Sequence, residues 1–197
     1  MPSRHSPTLR VVTNPRPTPV VSNAVLGVLI FLFTEAMLFA GLISAHTIAR
    51  ASSPLGWPPP GQPRLPFRET ALNTAALLVS GVAVFLAQRV FRRDRRRALT
   101  PLALGLGLGA FFVIFQGVEW VALIREGLTL TSSTHGAFFY LIVGVHALHA
   151  IAALIALAWV TQRLRHGVLP PSAFAAAALF WYFVVGVWPI IYLRVYT

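Results

Sequence analysis

Long apolar runs alternate with short polar segments along almost the whole chain. Five of the runs reach the roughly 20 residues that a helix needs to cross a ~30 Å hydrocarbon core. The pattern therefore predicts an all-α membrane bundle of five transmembrane helices over 22–197, preceded by a flexible cytoplasmic tail over 1–21. The predicted helices lie near 23–47, 70–91, 100–123, 136–160 and 172–194.

The arginines predict how these helices are oriented. The tail carries three arginines, segment 89–97 carries six, and the segment after the fourth helix carries two, so that 11 lie on one side. The other side carries five. Because arginine-rich loops stay in the cytoplasm, we expect the N-terminus inside and the C-terminus outside.

Composition agrees with a membrane protein. Only 11% of the 197 residues are charged and 56% are hydrophobic, whereas soluble domains carry roughly 25% charged residues. The formal net charge of +11 comes from arginines between apolar runs, so no nucleic acid is expected as a partner. Cysteine is absent, which excludes disulfides and thiolate metal sites.

Ionisable residues within the apolar runs are candidates for function, because charge at membrane depth is costly and rare. Glu35 lies about midway along the first run. It could be a proton-exchanging or lipid-facing carboxyl, or a protonated acid that is hydrogen-bonded to a neighbouring helix. The residues alone leave both interpretations open.

Two further groups of polar residues occupy the third and fourth runs. Gln116 and Glu119 are three residues apart, as are His146 and His149, so the members of each group share one helix face. We expect a contact between Glu119 and one of these histidines, since it would satisfy two buried groups at once. A proton relay is the alternative.

A metal or haem site is a weaker interpretation of the histidines. Two imidazoles three residues apart on a helix can face one metal ion, but haem ligands must approach from opposite faces. His46 or His135, both near the outside end, would have to supply the second ligand. Because the sequence offers no further ligand cluster, we predict no catalytic residue, no metal and no covalently bound cofactor.

Seven motifs resemble those of subunit III of the haem-copper oxidases, the cytochrome c oxidase type, in the family's order along the chain. This chain resembles the five-helix form, which lacks the first two of seven helices. The motifs are FTEAMLFAG at 33–41, WPP at 57–59 with LNT at 72–74, LVSG at 78–81, QGVEW at 116–120, GAFF at 136–139, GVHALH at 144–149 and FVVGVW at 183–188.

The fifth helix departs from the family pattern. The family typically has Trp-His-Phe-Val-Asp where this chain has WYFVV at 181–185, so that Tyr182 and Val185 replace two polar residues. A family glutamate earlier in that helix falls on Ala175. These changes put in doubt any proton or lipid role carried over through the fifth helix.

The resemblance implies an accessory subunit of a respiratory terminal oxidase in the bacterial inner membrane, without a redox centre of its own. Its partners would be the catalytic subunit I, subunit II and structural phospholipids. The complex would be a proton-translocating cytochrome-c oxidase, and whether the chain alone is an enzyme is left open. The subunit would support proton uptake and protect the catalytic subunit from inactivation during turnover.

The resemblance also assigns residues. Glu35 would face a lipid cleft and react with carbodiimides, while Arg163 and Arg165 would bind lipid phosphates. The six-arginine loop would set topology and contact anionic lipids. Three alternatives remain: a subunit of a quinol oxidase or of a nitric-oxide-reductase-associated relative, an independent proton-coupled transporter using Glu35 and Glu119, and a b-type haem carrier.

Overall fold

Five helices form the secondary structure of the part of the chain that is described. The computed structural model covers residues 21–196 except Leu55 and Arg64. Each helix is long and apolar enough to cross a membrane, which confirms the predicted fold class. The helices are α1 (Asn23–Ala51), α2 (Phe67–Phe91), α3 (Leu99–Arg125), α4 (Thr134–Arg165) and α5 (Pro171–Val195).

The helices extend up to five residues beyond the apolar runs. They contain 25 to 32 residues, which at 1.5 Å per residue is about 38 to 48 Å and exceeds the hydrocarbon thickness. The added turns end in charged residues such as Arg50, Arg125 and Arg165. These side chains can therefore reach the headgroup layer while the apolar run fills the hydrocarbon.

The N-terminal tail predicted over 1–21 lies outside the described residues apart from Val21. The segment between α1 and α2 is not helical at any of its described residues from 53 to 66, as its six prolines predict. Its Trp57 is half-buried and packs between the outer ends of α1 and α4.

Glycines end α3 and α4 in the same way. Gly127 and Gly167 have φ angles of 91° and 73°, a left-handed conformation that glycine adopts without a steric penalty. The next N–H groups then turn back to the helix: Leu128 N donates to Leu123 O, and Val168 N donates to Arg163 O. These bonds satisfy carbonyl groups that the helix end would otherwise leave unpaired.

Helix α5 lies at the centre of the bundle and contacts α1, α2 and α4. Its Trp181 is fully buried and donates from Nε1 to Ser80 Oγ of α2 at 3.1 Å. Gly109 of α3 makes room for this indole, because a Cβ there would lie 2.6 Å from the ring. Trp188, also fully buried, donates to Thr74 Oγ1 of α2 at 2.8 Å.

Helix α1 is the peripheral element. Only Phe39 and His46 among its residues are buried, and it packs against α5 and α4. Apolar side chains cover its outer face, including Ile30, Phe33 and Met37, which are more than half exposed. The single carboxyl of α1, Glu35, therefore lies close to the boundary between the bundle and the surrounding bilayer.

Candidate functional site

Glu35 meets His149 of α4 across the boundary between α1 and α4. The carboxyl Oε2 and the imidazole Nε2 are 2.9 Å apart. The other ring nitrogen, Nδ1, lies 2.8 Å from the carbonyl oxygen of Val145, one turn earlier on α4. Both side chains are largely but not fully covered, with 17% of Glu35 and 11% of His149 exposed.

Phenylalanine rings surround this pair. Phe31 and Phe39 of α1 lie 6.3 and 5.5 Å from the His149 ring, and Phe180 and Phe183 of α5 lie 6.2 and 6.4 Å from it. Apolar walls strengthen the interaction between the two polar groups, because little water competes for them. The result is an acid–base pair between α1 and α4 that is partly exposed at the surface of the bundle.

Glu119 belongs to a different network at the end of α3 that adjoins the Pro-rich segment. The Thr70 hydroxyl of α2 lies 3.1 Å from both of its carboxyl oxygens. The Gln116 amide donates to Glu119 Oε2 and to the Tyr196 hydroxyl, each at 3.0 Å. Burial, and next the Glu119 carboxyl, raise the pKa of Tyr196, which lies just beyond α5.

The contact expected between Glu119 and a histidine of α4 does not form in the structure. Glu119 turns towards α2, which packs more extensively against α3 than α4 does, and its partners are Thr70 and Gln116. His149 turns towards α1 and bonds Glu35. Sequence spacing could group residues on one face of their own helix, but it could not say which neighbouring helix that face meets.

His146 faces the interior rather than its expected carboxyl partner. Its ring lies 4.9 Å from Trp188 and 6.2 and 6.3 Å from Phe39 and Phe112. Neither of its nitrogens has a hydrogen-bond partner among the described residues. Residues three apart differ by about 60° around a helix axis, so His146 and His149 face different neighbours.

His46, near the C-terminal end of α1, and His135, in the first turn of α4, meet at Trp57. The rings of His46 and His135 lie 5.3 and 5.0 Å from this indole, and both histidines are buried. Within 21–54, 56–63 and 65–196, no group of three or more His, Asp or Glu side chains is placed to hold a metal ion. The aromatic packing is therefore the interaction that the structure gives these histidines.

Most of the arginines among the described residues lie at the opposite end of the bundle. Arg163 and Arg165 lie in the last turn of α4 and are exposed, and the Arg163 guanidinium stacks over Trp159 at 5.0 Å. In the loop after α2, Arg97 pairs with Asp94 at 3.2 Å. Arg89, Arg92 and Arg93 line a surface cavity of about 410 Å³ together with Val90.

The side chains at the substituted positions of α5 make other contacts in the bundle. The Tyr182 hydroxyl donates to Gln88 Oε1 of α2 at 2.8 Å, and Val185 is buried against Gly81 of α2. Ala175 lines a cavity between the first turns of α1 and α5 and the end of α2. At Tyr182 and Val185, the fifth helix thus packs against α2.

The fold and these polar groups define a helical multi-pass membrane protein with two separate carboxyl sites. Comparison with known proteins identifies its family: residues 13–197 match the model of the family described as cytochrome c oxidase subunit III. The chain therefore belongs to the cytochrome c oxidase subunit III family, which confirms the resemblance seen in its motifs.

Relatives from bacteria and animals agree. The probable cytochrome c oxidase subunit 3 of Nocardia farcinica is 34% identical over 178 residues, which cover 86% of this chain and 85% of that protein. The Mycobacterium leprae protein described in the same words is 34% identical over 179 residues, with the same coverage. Cytochrome c oxidase subunit 3 of Danio rerio is 33% identical over 187 residues, covering 90% of this chain and 70% of that protein.

Proposed function

We propose that this chain is an accessory subunit of a respiratory cytochrome c oxidase. The observation that carries the proposal is the family match over 13–197. On this proposal the chain assembles with the catalytic subunit I and with subunit II, and oxygen is reduced in the catalytic subunit. The site that this chain contributes is the Glu35–His149 pair rather than a redox centre.

The first part of the proposed role is to hold structural phospholipids. The partial exposure of Glu35 and His149 supports this role, since acyl chains could pack against the surrounding phenylalanine rings. At the arginine-rich end, Arg163 and Arg165 would bind lipid phosphates by charge-assisted hydrogen bonds. The cavity between Arg89 and Arg93 would contact anionic headgroups, since it lies at the level where the helices leave the hydrocarbon.

The second part is to support proton uptake and stability of the catalytic subunit. Glu35 supports this role because a carboxyl at a membrane-facing surface, paired with a single imidazole, can exchange a proton without breaking a buried network. If so, an E35Q complex should retain its haem spectrum and subunits but lose activity faster during turnover than the wild-type complex. An unchanged lifetime would remove Glu35 from this role.

Purification of the complex tests the proposal as a whole. The affinity-tagged chain should co-purify from detergent extracts with haem-bearing subunits on a gel and with a haem absorption spectrum. The chain stripped from the complex should be colourless. If the tagged chain came out alone, the accessory-subunit role would be wrong, and proton transport by the chain in liposomes would then support the transporter alternative.

Lipid binding at the arginine-rich end can be tested separately. Native mass spectrometry of the complex should show fewer bound phospholipids after R163A and R165A are combined. The charge-conserving pair R163K and R165K is the matched control and should retain most of that count. Equal loss in both variants would indicate general destabilisation and not a phosphate site.

The proposed topology is N-terminus inside and C-terminus outside in the bacterial inner membrane. Because the chain has no native cysteine, a maleimide can label it only at an introduced cysteine. Thr131→Cys and His166→Cys lie in exposed loops that flank α4. In intact spheroplasts, a membrane-impermeant maleimide should label Thr131→Cys and spare His166→Cys; the reverse pattern would invert the topology.

A further inference from the structure

The protons of the Glu35–His149 pair can be assigned from its hydrogen bonds. His149 Nδ1 lies 2.8 Å from the carbonyl oxygen of Val145. A carbonyl oxygen can only accept a hydrogen bond, so Nδ1 must carry a hydrogen. The state of the pair then depends on the other ring nitrogen, Nε2, which faces Glu35.

Nε2 and Glu35 Oε2, at 2.9 Å, must share a proton to form a hydrogen bond. Either a neutral imidazole accepts the O–H of a carboxylic acid, or a doubly protonated imidazole donates to a carboxylate. In both cases one proton lies between the two helices. The two forms differ only in the atom to which that proton is attached.

The surroundings favour the neutral form. The rings of Phe31 and Phe39 from α1 and of Phe180 and Phe183 from α5 enclose the imidazole. On α4 itself, the nearest titratable neighbour is His146, one turn earlier. Separating charge in such an apolar site costs the hydration of two ions, which one contact seldom offsets.

We infer that His149 is a positioning residue that keeps Glu35 as a neutral acid, with the carboxyl O–H donating to Nε2. The pair is then a one-proton clasp between α1 and α4. Its importance to the oxidase rests on the proposed function, whereas the proton assignment rests on the hydrogen-bond geometry. Removing the proton would leave a carboxylate facing a nitrogen lone pair, and the clasp would open.

The proton assignment also predicts how a carbodiimide would react with Glu35. The carboxyl O–H proton moves to a carbodiimide nitrogen as the carboxyl oxygen bonds the central carbon, forming an O-acylisourea. The same proton that joins the helices is therefore consumed by the modification. We expect the modified chain to lose the hydrogen bond between α1 and α4.

Infrared spectroscopy of the intact complex tests the assignment. Wild type should show a C=O band of a protonated carboxyl that disappears in E35Q. In H149F this band should shift to higher frequency, because the O–H loses its acceptor. In H149Q the shift should be smaller, since the amide oxygen can accept the same bond, and H146Q is the matched control that should leave the band in place.

Three results would overturn the inference. The first is a wild-type spectrum without a band that E35Q removes. The second is an unmoved band in H149F, and the third is an equal shift in H149F and H149Q, which would indicate a change in packing. Co-purification of each variant with haem-bearing subunits is scored separately, so a failed accessory role and a failed proton assignment remain distinguishable.

Discussion

Two of the carboxyls within the helices, Glu35 and Glu119, are held in opposite ways. Glu119 is 7% exposed and is bonded by the Thr70 hydroxyl and the Gln116 amide, which also reaches the Tyr196 hydroxyl. Glu35 is only half-buried and has one side-chain hydrogen-bond partner among the described residues, His149. Glu119 and its partners link α2, α3 and the residue after α5 inside the bundle, while Glu35 links the peripheral helix α1 to α4.

We propose that this difference separates a structural site, Glu119, from a site that can exchange a proton, Glu35. Several partners fix Glu119, so changing its state disturbs α2, α3 and the residue after α5 together. Glu35 can gain or lose its single partner with little effect on the core, because α1 buries only two residues. A reaction partner could reach the partly exposed Glu35 more easily than the buried Glu119.

Carbodiimide labelling should give the largest contrast between the two. A lipid-soluble carbodiimide applied to the complex should label Glu35, since it is protonated on our assignment and can be reached from the bilayer. E35Q should abolish the label, whereas E119Q should leave it. Peptide mass spectrometry identifies the modified residue, and label found mainly at Glu119 would reverse our assignment of the two sites.

Replacing each carboxyl by leucine should reverse the order, with the larger loss of stability at Glu119. E119L should destabilise the bundle by about 3 kcal/mol, because it leaves several buried donors without an acceptor. E35L should cost only about 1 kcal/mol, since one partly exposed hydrogen bond is lost. Denaturant titration of the complex in detergent measures both, and equal losses would mean that the two carboxyls are equally structural.

The sequence predicted where the helices lie better than it predicted which side chains meet between them. Apolar runs and arginines are properties of single segments, so the five spans could be found without knowing any contact. The partners of Glu35 and Glu119 depend on which helix lies beside which. Tyr196 and Thr70 carried no sequence signal that marked them as members of the Glu119 network.

The distance of each residue from the end of its helix could have shown that Glu119 does not pair with His149. At 1.5 Å per residue, Glu119 lies about 9 Å from the end of α3 and His149 about 22 Å from the start of α4, and these two ends adjoin. The two residues are therefore at different depths. Glu35 lies about 24 Å from the same end of the bundle, which matches His149 and fits the observed pair.

Tyr196 should give the smallest effect and one that depends on pH. Y196F removes a hydroxyl that accepts from Gln116 and should cost about 1 kcal/mol. Burial raises the pKa of Tyr196 above its ordinary value, so the folded protein holds the phenolic proton more tightly than the unfolded chain does. This contribution is complete below the unfolded pKa of about 10 and is lost as pH rises above it. Stability curves of wild type and Y196F should therefore differ at neutral pH and converge in strong alkali; a constant difference would mean that Tyr196 titrates normally and is less buried than its contacts with Gln116 and Trp188 indicate.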